Sequence, residues 1–378
     1  MDRDEGGTKM EQNLLEMLLN TDSVSGEEFA LQDQLEAHMK PFADSCERDA
    51  VGDGIYTVNG KEPDNGRTSD NGKEPDNGGK SDNGGGAGNS AGTGGRTILL
   101  AAHIDEIGLM VTGATEDGFL RVINAGGIRT RTYPGHGVKI RTEKGILYGS
   151  VVMNPDAFKN GDMEAKHLLI DIGALSKEEA LSNVRPGDTV VFDASIRHLQ
   201  NGRIRARGLD DKTGVYTIME ALKRVREQGS VNTVMAAATA GEEISKHGAR
   251  WVAERKRPDE AIIVDVTYTS DYDGMRGAEW GEVSLGKGPV LCVNAICDKK
   301  MNRKLMKIAE QEGIPYQLEI SSGKTCTDAD EIHFAADGIP TALVSIPLRY
   351  MHTPAETADL QDLENTIRLL TAYLTQGE

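Results

Sequence analysis

Thr233-Val234-Met235-Ala236-Ala237-Ala238, followed by Glu242-Glu243, is the stretch on which the reading of this chain turns. An apolar run of this length reads as a buried strand. Two adjacent glutamates at the end of such a strand are costly to bury unless they are paired or metal-bound. One can ligate while the other stays free as a general base. Four further groups of metal-binding residue types are placed in the same way. His103-Ile104-Asp105 ends the run 98–102, and Asp210-Asp211 ends a loop and opens a helix. Asp265 follows Ala261-Ile262-Ile263-Val264, and His352 follows the run 341–346.

Taken singly, these groups are open to plainer readings. On an extended backbone residues i and i+2 point to one side. His103 can then offer one ring nitrogen to a metal while Asp105 orients the other, but a lone pair of this kind also fits a structural histidine. An aspartate in the 210–211 doublet can bridge two cations or simply cap a helix. Together, two histidines and several carboxylates at strand ends point to a metal centre, because ligands in open α/β sheets gather at the carboxyl edge.

The surrounding pattern predicts where that edge comes from. Beyond residue 206 strands alternate with helices: a helix from Lys212 toward Arg226, then Thr233–Ala238, a helix 246–254, and Ala261–Val264. These are followed by 290–295, a helix 301–311, 316–320, a helix 328–336 with Thr327 as cap, 341–346, and a last helix 360–374. This alternation predicts an α/β fold, a mainly parallel sheet flanked by helices. Residues 107–205 have a different texture, short β-like runs such as Phe119–Ile123, Val138–Ile140 and Thr189–Phe192 separated by glycine turns. They read as an inserted small β-barrel. The expected division is a discontinuous catalytic domain, 1–106 with 206–378, interrupted by a barrel domain, 107–205. The first forty residues read as two helices, with Met10, Leu14, Leu15, Leu18 and Leu19 on one face and Ser25 with Glu28 as a capping box for the second.

Residues 59–95 stand apart. Gly-Lys-Glu-Pro-Asp-Asn-Gly occurs at 60–66 and again at 72–78, in a setting of glycine, asparagine, aspartate and serine. Such a segment buries too little apolar surface to offset its ordering entropy, so a disordered low-complexity insert is expected.

Bulk properties exclude several classes of function. The 378 residues carry 42 basic and 60 acidic side chains, a formal net charge of −18, which argues against a nucleic-acid partner. No run approaches the ~18 apolar residues of a membrane helix, and Met1-Asp2-Arg3-Asp4-Glu5 lacks a signal-peptide core. Cys46, Cys292, Cys297 and Cys326 have no CxxC spacing and read as reduced thiols of a cytoplasmic protein.

The motifs resemble those of the M42 peptidases, dinuclear metal aminopeptidases that assemble into hollow tetrahedral particles. The resemblance rests on His103-Ile104-Asp105-Glu106-Ile107-Gly108-Leu109-Met110, Leu209-Asp210-Asp211-Lys212-Thr213-Gly214, Glu242-Glu243 with Gly248-Ala249, Asp265-Val266-Thr267, Thr327-Asp328-Ala329, and Ser345-Ile346-Pro347 leading to Arg349-Tyr350-Met351-His352. It implies one metal held by His103, Asp210 and Asp265 and a second held by Asp210, Glu243 and His352, with Asp210 bridging. It also implies Glu242 as general base and Asp105 as support for His103. Two divalent ions per subunit, zinc or cobalt, fit imidazole and carboxylate donors without thiolate. The implied substrates are peptides with a free N-terminus, and the implied assembly is a homo-oligomer of dimers reaching a dodecamer, with the barrel supplying dimer contacts. Lys212 stands where the family often has arginine, and Ala240-Gly241 where Val-Gln is common. The alternatives are a metal-dependent deacylase or carboxypeptidase on the same core, or a β-glucanase. The last would need two carboxyls and no metal and leaves His103 and His352 without a role.

Overall fold

The computed structural model describes residues 14–61, 95–161, 163–276 and 281–376. Most of the repeat segment read as an insert, 62–94, and the start of the first expected helix lie outside these residues. Residues 14–20 are helical, and a second helix spans Phe29–Met39.

Strands β1 (Ser45–Arg48), β2 (Gly54–Val58) and β3 (Thr97–His103) lead into the barrel strands β4 (Gly108–Ala114), β5 (Leu120–Ala125), β6 (Gly137–Thr142), β7 (Gly145–Met153), β8 (Leu168–Asp171) and β9 (Thr189–Phe192). The barrel closes in the order β4-β5-β8-β7-β6-β9 around an apolar interior that includes Leu120, Val138, Ile170 and Val190. Strands β10 (Arg197–His198) and β11 (Arg203–Ala206) do not join it. They form a three-stranded sheet with Glu356–Asp359.

The large sheet is completed by β12 (Thr233–Thr239), β13 (Glu260–Tyr268), β14 (Val290–Val293), β15 (Gln317–Ile320) and β16 (Thr341–Leu348). Its eight strands run β1-β2-β12-β3-β13-β16-β14-β15. The central four, β12, β3, β13 and β16, are parallel, whereas β2 meets β12 and β14 meets β16 antiparallel. The sheet is therefore parallel at its centre and mixed toward its margins. Apolar periodicity reports burial and not strand direction, which is why the sequence did not distinguish the two.

Strict alternation along the central strands builds two cores. Ile98, Leu100, Val234, Ala236, Ile262, Val264 and Val344 face the helices Leu209–Gln228 and Leu360–Thr375. Leu99, Ala101, Met235, Ala237, Ile263 and Leu343 face the other layer, which contains the helix His247–Lys256 and the single turn Ala329–Ile332. Parity then assigns His103, Thr239, Asp265 and Ser345 to this second face. Parallel strands place their carboxyl ends along one edge, so topology and parity together gather these residues. Strand β13 runs past Asp265 to Tyr268, so this carboxylate sits inside the strand and not at its end.

Gly248 fixes how the helix His247–Lys256 approaches that edge. A Cβ there would lie 2.5 Å from Ala240 O and 2.2 Å from Asp53 Oδ1, and the Gly248 N–H donates to Ala240 O at 3.2 Å. The loop carrying Glu242 is thereby packed against bare backbone. Gly248→Ala is expected to destabilise the protein by about 1–3 kcal/mol, the usual cost of overpacking. Chemical denaturation measures it, and an unchanged midpoint contradicts the close approach. Among the described residues no helix is long and apolar enough to cross a membrane.

Candidate active site

His103, Asp210, Glu242, Glu243, Asp265 and His352 all line one cavity of about 520 Å³ at the carboxyl edge of the sheet. Asp210 stands at its centre. Its Oδ1 lies 3.1 Å from His103 Nε2 and its Oδ2 lies 3.1 Å from His352 Nε2. Glu243 Oε1 is 3.4 Å from the same His352 nitrogen, and Glu242 Oε2 is 4.0 Å from His103 Nε2. Residues more than two hundred positions apart in the chain thus share one carboxylate.

Each imidazole is oriented from behind by a backbone carbonyl. His103 Nδ1 donates to Asp105 O at 3.1 Å, and His352 Nδ1 donates to Gly127 O at 2.7 Å. A carbonyl can only accept, so both rings present an unprotonated Nε2 to the cavity when neutral. The carboxylate of Asp105 lies 3.5 Å from His103 Nδ1. It accepts from Ser25 Oγ at 2.6 Å and from the backbone N–H of Glu242 at 3.0 Å and Glu243 at 3.3 Å. The capping box expected of Ser25 and Glu28 is not formed, because Ser25 Oγ is committed to Asp105 and the helix Phe29–Met39 has no side-chain cap at Glu28.

Several supporting residues were assigned no role from the sequence. Glu356 accepts from the N–H groups of Leu209 at 2.8 Å and His352 at 2.7 Å, which joins the two loops bearing Asp210 and His352. His352 itself has φ +64, a left-handed backbone that this bond helps to hold. Asp53 accepts from Ala240 N at 2.8 Å, and Asp328 accepts from Thr239 Oγ1 at 2.5 Å. Glu106 is buried between Arg207, with which it pairs, and Lys212, whose Nζ is 2.8 Å away. The lysine that departs from the family pattern therefore keeps a cation against this glutamate.

The cluster holds more negative charge than its own cations balance. Burial, with the Asp265 and Asp210 charges beside it, raises the Asp211 pKa well above the usual range. Burial likewise lifts Glu243 to about 7 and Glu356 to about 8, and raises Glu242 and Asp265. Burial opposes charge on the two imidazoles, but hydrogen-bonded carboxylates outweigh it. The result is a His103 pKa well above its usual value and a His352 pKa of about 12. Asp210 is held down despite its burial by hydrogen bonds to both histidines. Lys246 Nζ, 3.0 Å from Glu242 Oε1, contributes one positive charge. Asp211 Oδ2 is buried without a hydrogen-bond partner among the described residues. Ligand atoms of His103, Asp211 and Asp265 lie within 4.8 Å of one another, as do those of His103, Asp210 and Glu243. This donor set, with its surplus of carboxylate and an orphaned buried oxygen, fits divalent cations.

A model of the M42 glutamyl aminopeptidases matches residues 84–369. The chain belongs to the M42 family. It is 30% identical to the lysyl aminopeptidase of Pyrococcus furiosus over 96% of each chain. In structure it is similar to the aminopeptidase APDkam598 of Desulfurococcus kamchatkensis, with TM-score 0.84, 32% identity, and 98% and 95% of the two chains covered. It is also similar to the TET1 peptidase of Pyrococcus horikoshii, which can assemble into a tetrahedron or a large octahedral shell, with TM-score 0.79, 32% identity, and 97% and 100% covered. M42 proteins are metal-dependent aminopeptidases, and this chain is accordingly an enzyme, a hydrolase of that type. Both the α/β sheet and the closed barrel match the M42 fold.

Glu106 gives a test of how the site is supported. Burial favours its neutral form, but the Arg207 and Lys212 charges prevail and hold its pKa at about 2 against an ordinary 4.5. A depressed carboxylate stabilises the fold above its unfolded value, and that contribution disappears as the pH falls through the folded one. Glu106→Gln is expected to cost about 3–5 kcal/mol at neutral pH, because buried Lys212 loses its carboxylate and Arg207 keeps only Asp22. It should also flatten the pH dependence of stability between about 4.5 and about 2. Urea titrations across that interval measure both effects.

Proposed function

We propose that the cavity is the two-metal centre of an aminopeptidase, in which His103, Asp210 and Asp265 hold one divalent ion and Asp210, Glu243 and His352 hold the other. The observation that carries this reading is the position of Asp210, with one carboxylate oxygen 3.1 Å from each imidazole. Zinc or cobalt suits imidazole and carboxylate donors that include no thiolate. Such ions, when bound, acidify water and polarise a peptide carbonyl.

The rest of the chemistry falls to the chain. Glu242 is the general base: it takes a proton from the attacking water and returns it to the departing amine. Burial raises its pKa, which moves a carboxylate toward the range where it both accepts and donates near neutral pH. Lys246 at 3.0 Å holds Glu242 Oε1 and leaves Oε2 on the His103 side. Asp105 positions the base by accepting from the Glu242 and Glu243 N–H groups and steadies His103 through its carbonyl. The carboxylate-rich wall favours a free α-ammonium on the substrate, which limits cleavage to the N-terminal residue.

The Pyrococcus horikoshii relative forms closed shells, and we assign this chain to a homo-oligomer as well, with dimers that build toward a dodecamer. Residues 107–205 would supply the dimer contacts; the barrel's outer surface exposes Ile146, Tyr148 and Phe158. Four free cysteines suit a cytoplasmic location.

Glu242→Gln should retain bound metal and lose turnover by about 10²–10⁴-fold, the usual value of acid–base assistance. Metal content by mass spectrometry and hydrolysis of aminoacyl anilides measure the two together, and a fully active variant removes Glu242 from the mechanism. Chelation should abolish activity on peptides with a free amine, and N-acetylated peptides should not be cleaved before or after metal is restored. Cleavage of the acetylated forms would favour a deacylase.

A further inference from the structure

We propose that Glu319 determines specificity at this site by selecting a cationic N-terminal side chain, that of lysine or arginine. The inference rests on the aminopeptidase reading and adds the substrate class to it. Glu319 on β15 pairs with Cys292 on β14, so its side chain shares a sheet face with Cys292. Cys292 lies with Leu343 in the second core, the face to which parity assigns Asp265 and Thr267. All five residues line the cavity.

Its distance from the candidate metal ligands suits a long side chain. Asp265 and Thr267 are two residues apart on one strand face, about 7 Å along β13 at the usual rise. Thr267 Oγ1 donates to Glu319 Oε2 at 2.6 Å, which sets the carboxylate beside Thr267 on the cavity wall. Leu343 and Cys292 line the same cavity and offer apolar surface to methylene groups.

Charge makes the choice. Among the described residues no lysine or arginine lines the cavity. Glu242 has Lys246, and Asp210 and Glu243 have the histidines. Among the described residues Glu319 has no ion-pair partner, and its Oε1 takes no hydrogen bond. Glu319 is half-buried, where a fixed charge acts through a lower effective dielectric than in water. An ammonium or guanidinium reaching it forms a charge-assisted hydrogen bond. A carboxylate side chain meets repulsion, and an aliphatic one leaves Glu319 desolvated and unpaired, the situation that a polar subsite rejects most strongly.

The test is kcat/KM for the 4-nitroanilides of lysine, arginine, leucine and glutamate, with metal-reconstituted wild type, Glu319→Gln and Glu319→Lys. Wild type should favour lysine and arginine over leucine, and leucine over glutamate. Glu319→Gln should lower the lysine-to-leucine ratio by about 10- to 100-fold, the span of hydrogen bonds to charged groups, chiefly through KM. Glu319→Lys should invert the order of lysine and glutamate. These ratios do not depend on the fraction of enzyme that is folded. A wild type that prefers leucine or glutamate overturns the specificity alone and leaves an aminopeptidase standing. So does a Glu319→Gln variant that loses lysine and leucine turnover equally. A wild type inert toward all four but active on their N-acetyl forms overturns the underlying reading too.

Discussion

One buried carboxylate, Asp105, ties the reacting edge together. It is fully excluded from solvent and accepts from Ser25 Oγ and from the N–H groups of Glu242 and Glu243. Its own carbonyl takes the His103 ring proton. The N-terminal segment, the end of β3 and the loop after β12 are thereby joined at a single residue. A carboxylate at this depth is tolerable only because every donor is aimed at it. The same donors place a base, a ligand and an imidazole relative to one another before any substrate arrives, which is what preorganised catalysis requires.

Around that anchor the site is built by accumulating acid. Asp210, Asp211, Glu242, Glu243 and Asp265 converge where two histidines and Lys246 are the nearby cations. Folding such an edge is expensive, and the large core beneath it bears the cost. The central strands contribute apolar side chains to both faces, and small residues at Ala101, Ala102, Ala237 and Ala238 let helices approach closely. The strained parts, His352 with its positive φ and the Glu242 loop pressed against Gly248, sit at the chemistry and not in the core.

The strands, the helices and most candidate ligands were legible in the sequence for one reason: all of these ligands but Asp210 follow an apolar run whose period betrays its structure. His103, Glu242–Glu243, Asp265 and His352 all carry that signature, and the structure brings them into one cavity with Asp210. What escaped has no local signature. Ser25 matches a capping pattern over three residues, yet its partner is eighty positions away. Glu356 resembles any surface glutamate until the loops it joins are seen together. Asp211 was visible as half of a doublet, but its approach to Asp265 and His103 depends on how the chain turns before the helix. The antiparallel entry of β14 was hidden because period carries no direction.

The bond from His352 Nδ1 to the carbonyl of Gly127 crosses from the core sheet to the connection that follows barrel strand β5. It makes the barrel inseparable from the chemistry, whatever else its outer wall contacts. A pared-down enzyme with residues 107–205 excised would keep every side chain of the acidic cluster. It would lack the one acceptor that tells the imidazole which nitrogen bears hydrogen. The ring would then be free to exchange tautomers and turn an N–H toward Asp210 where a lone pair belongs.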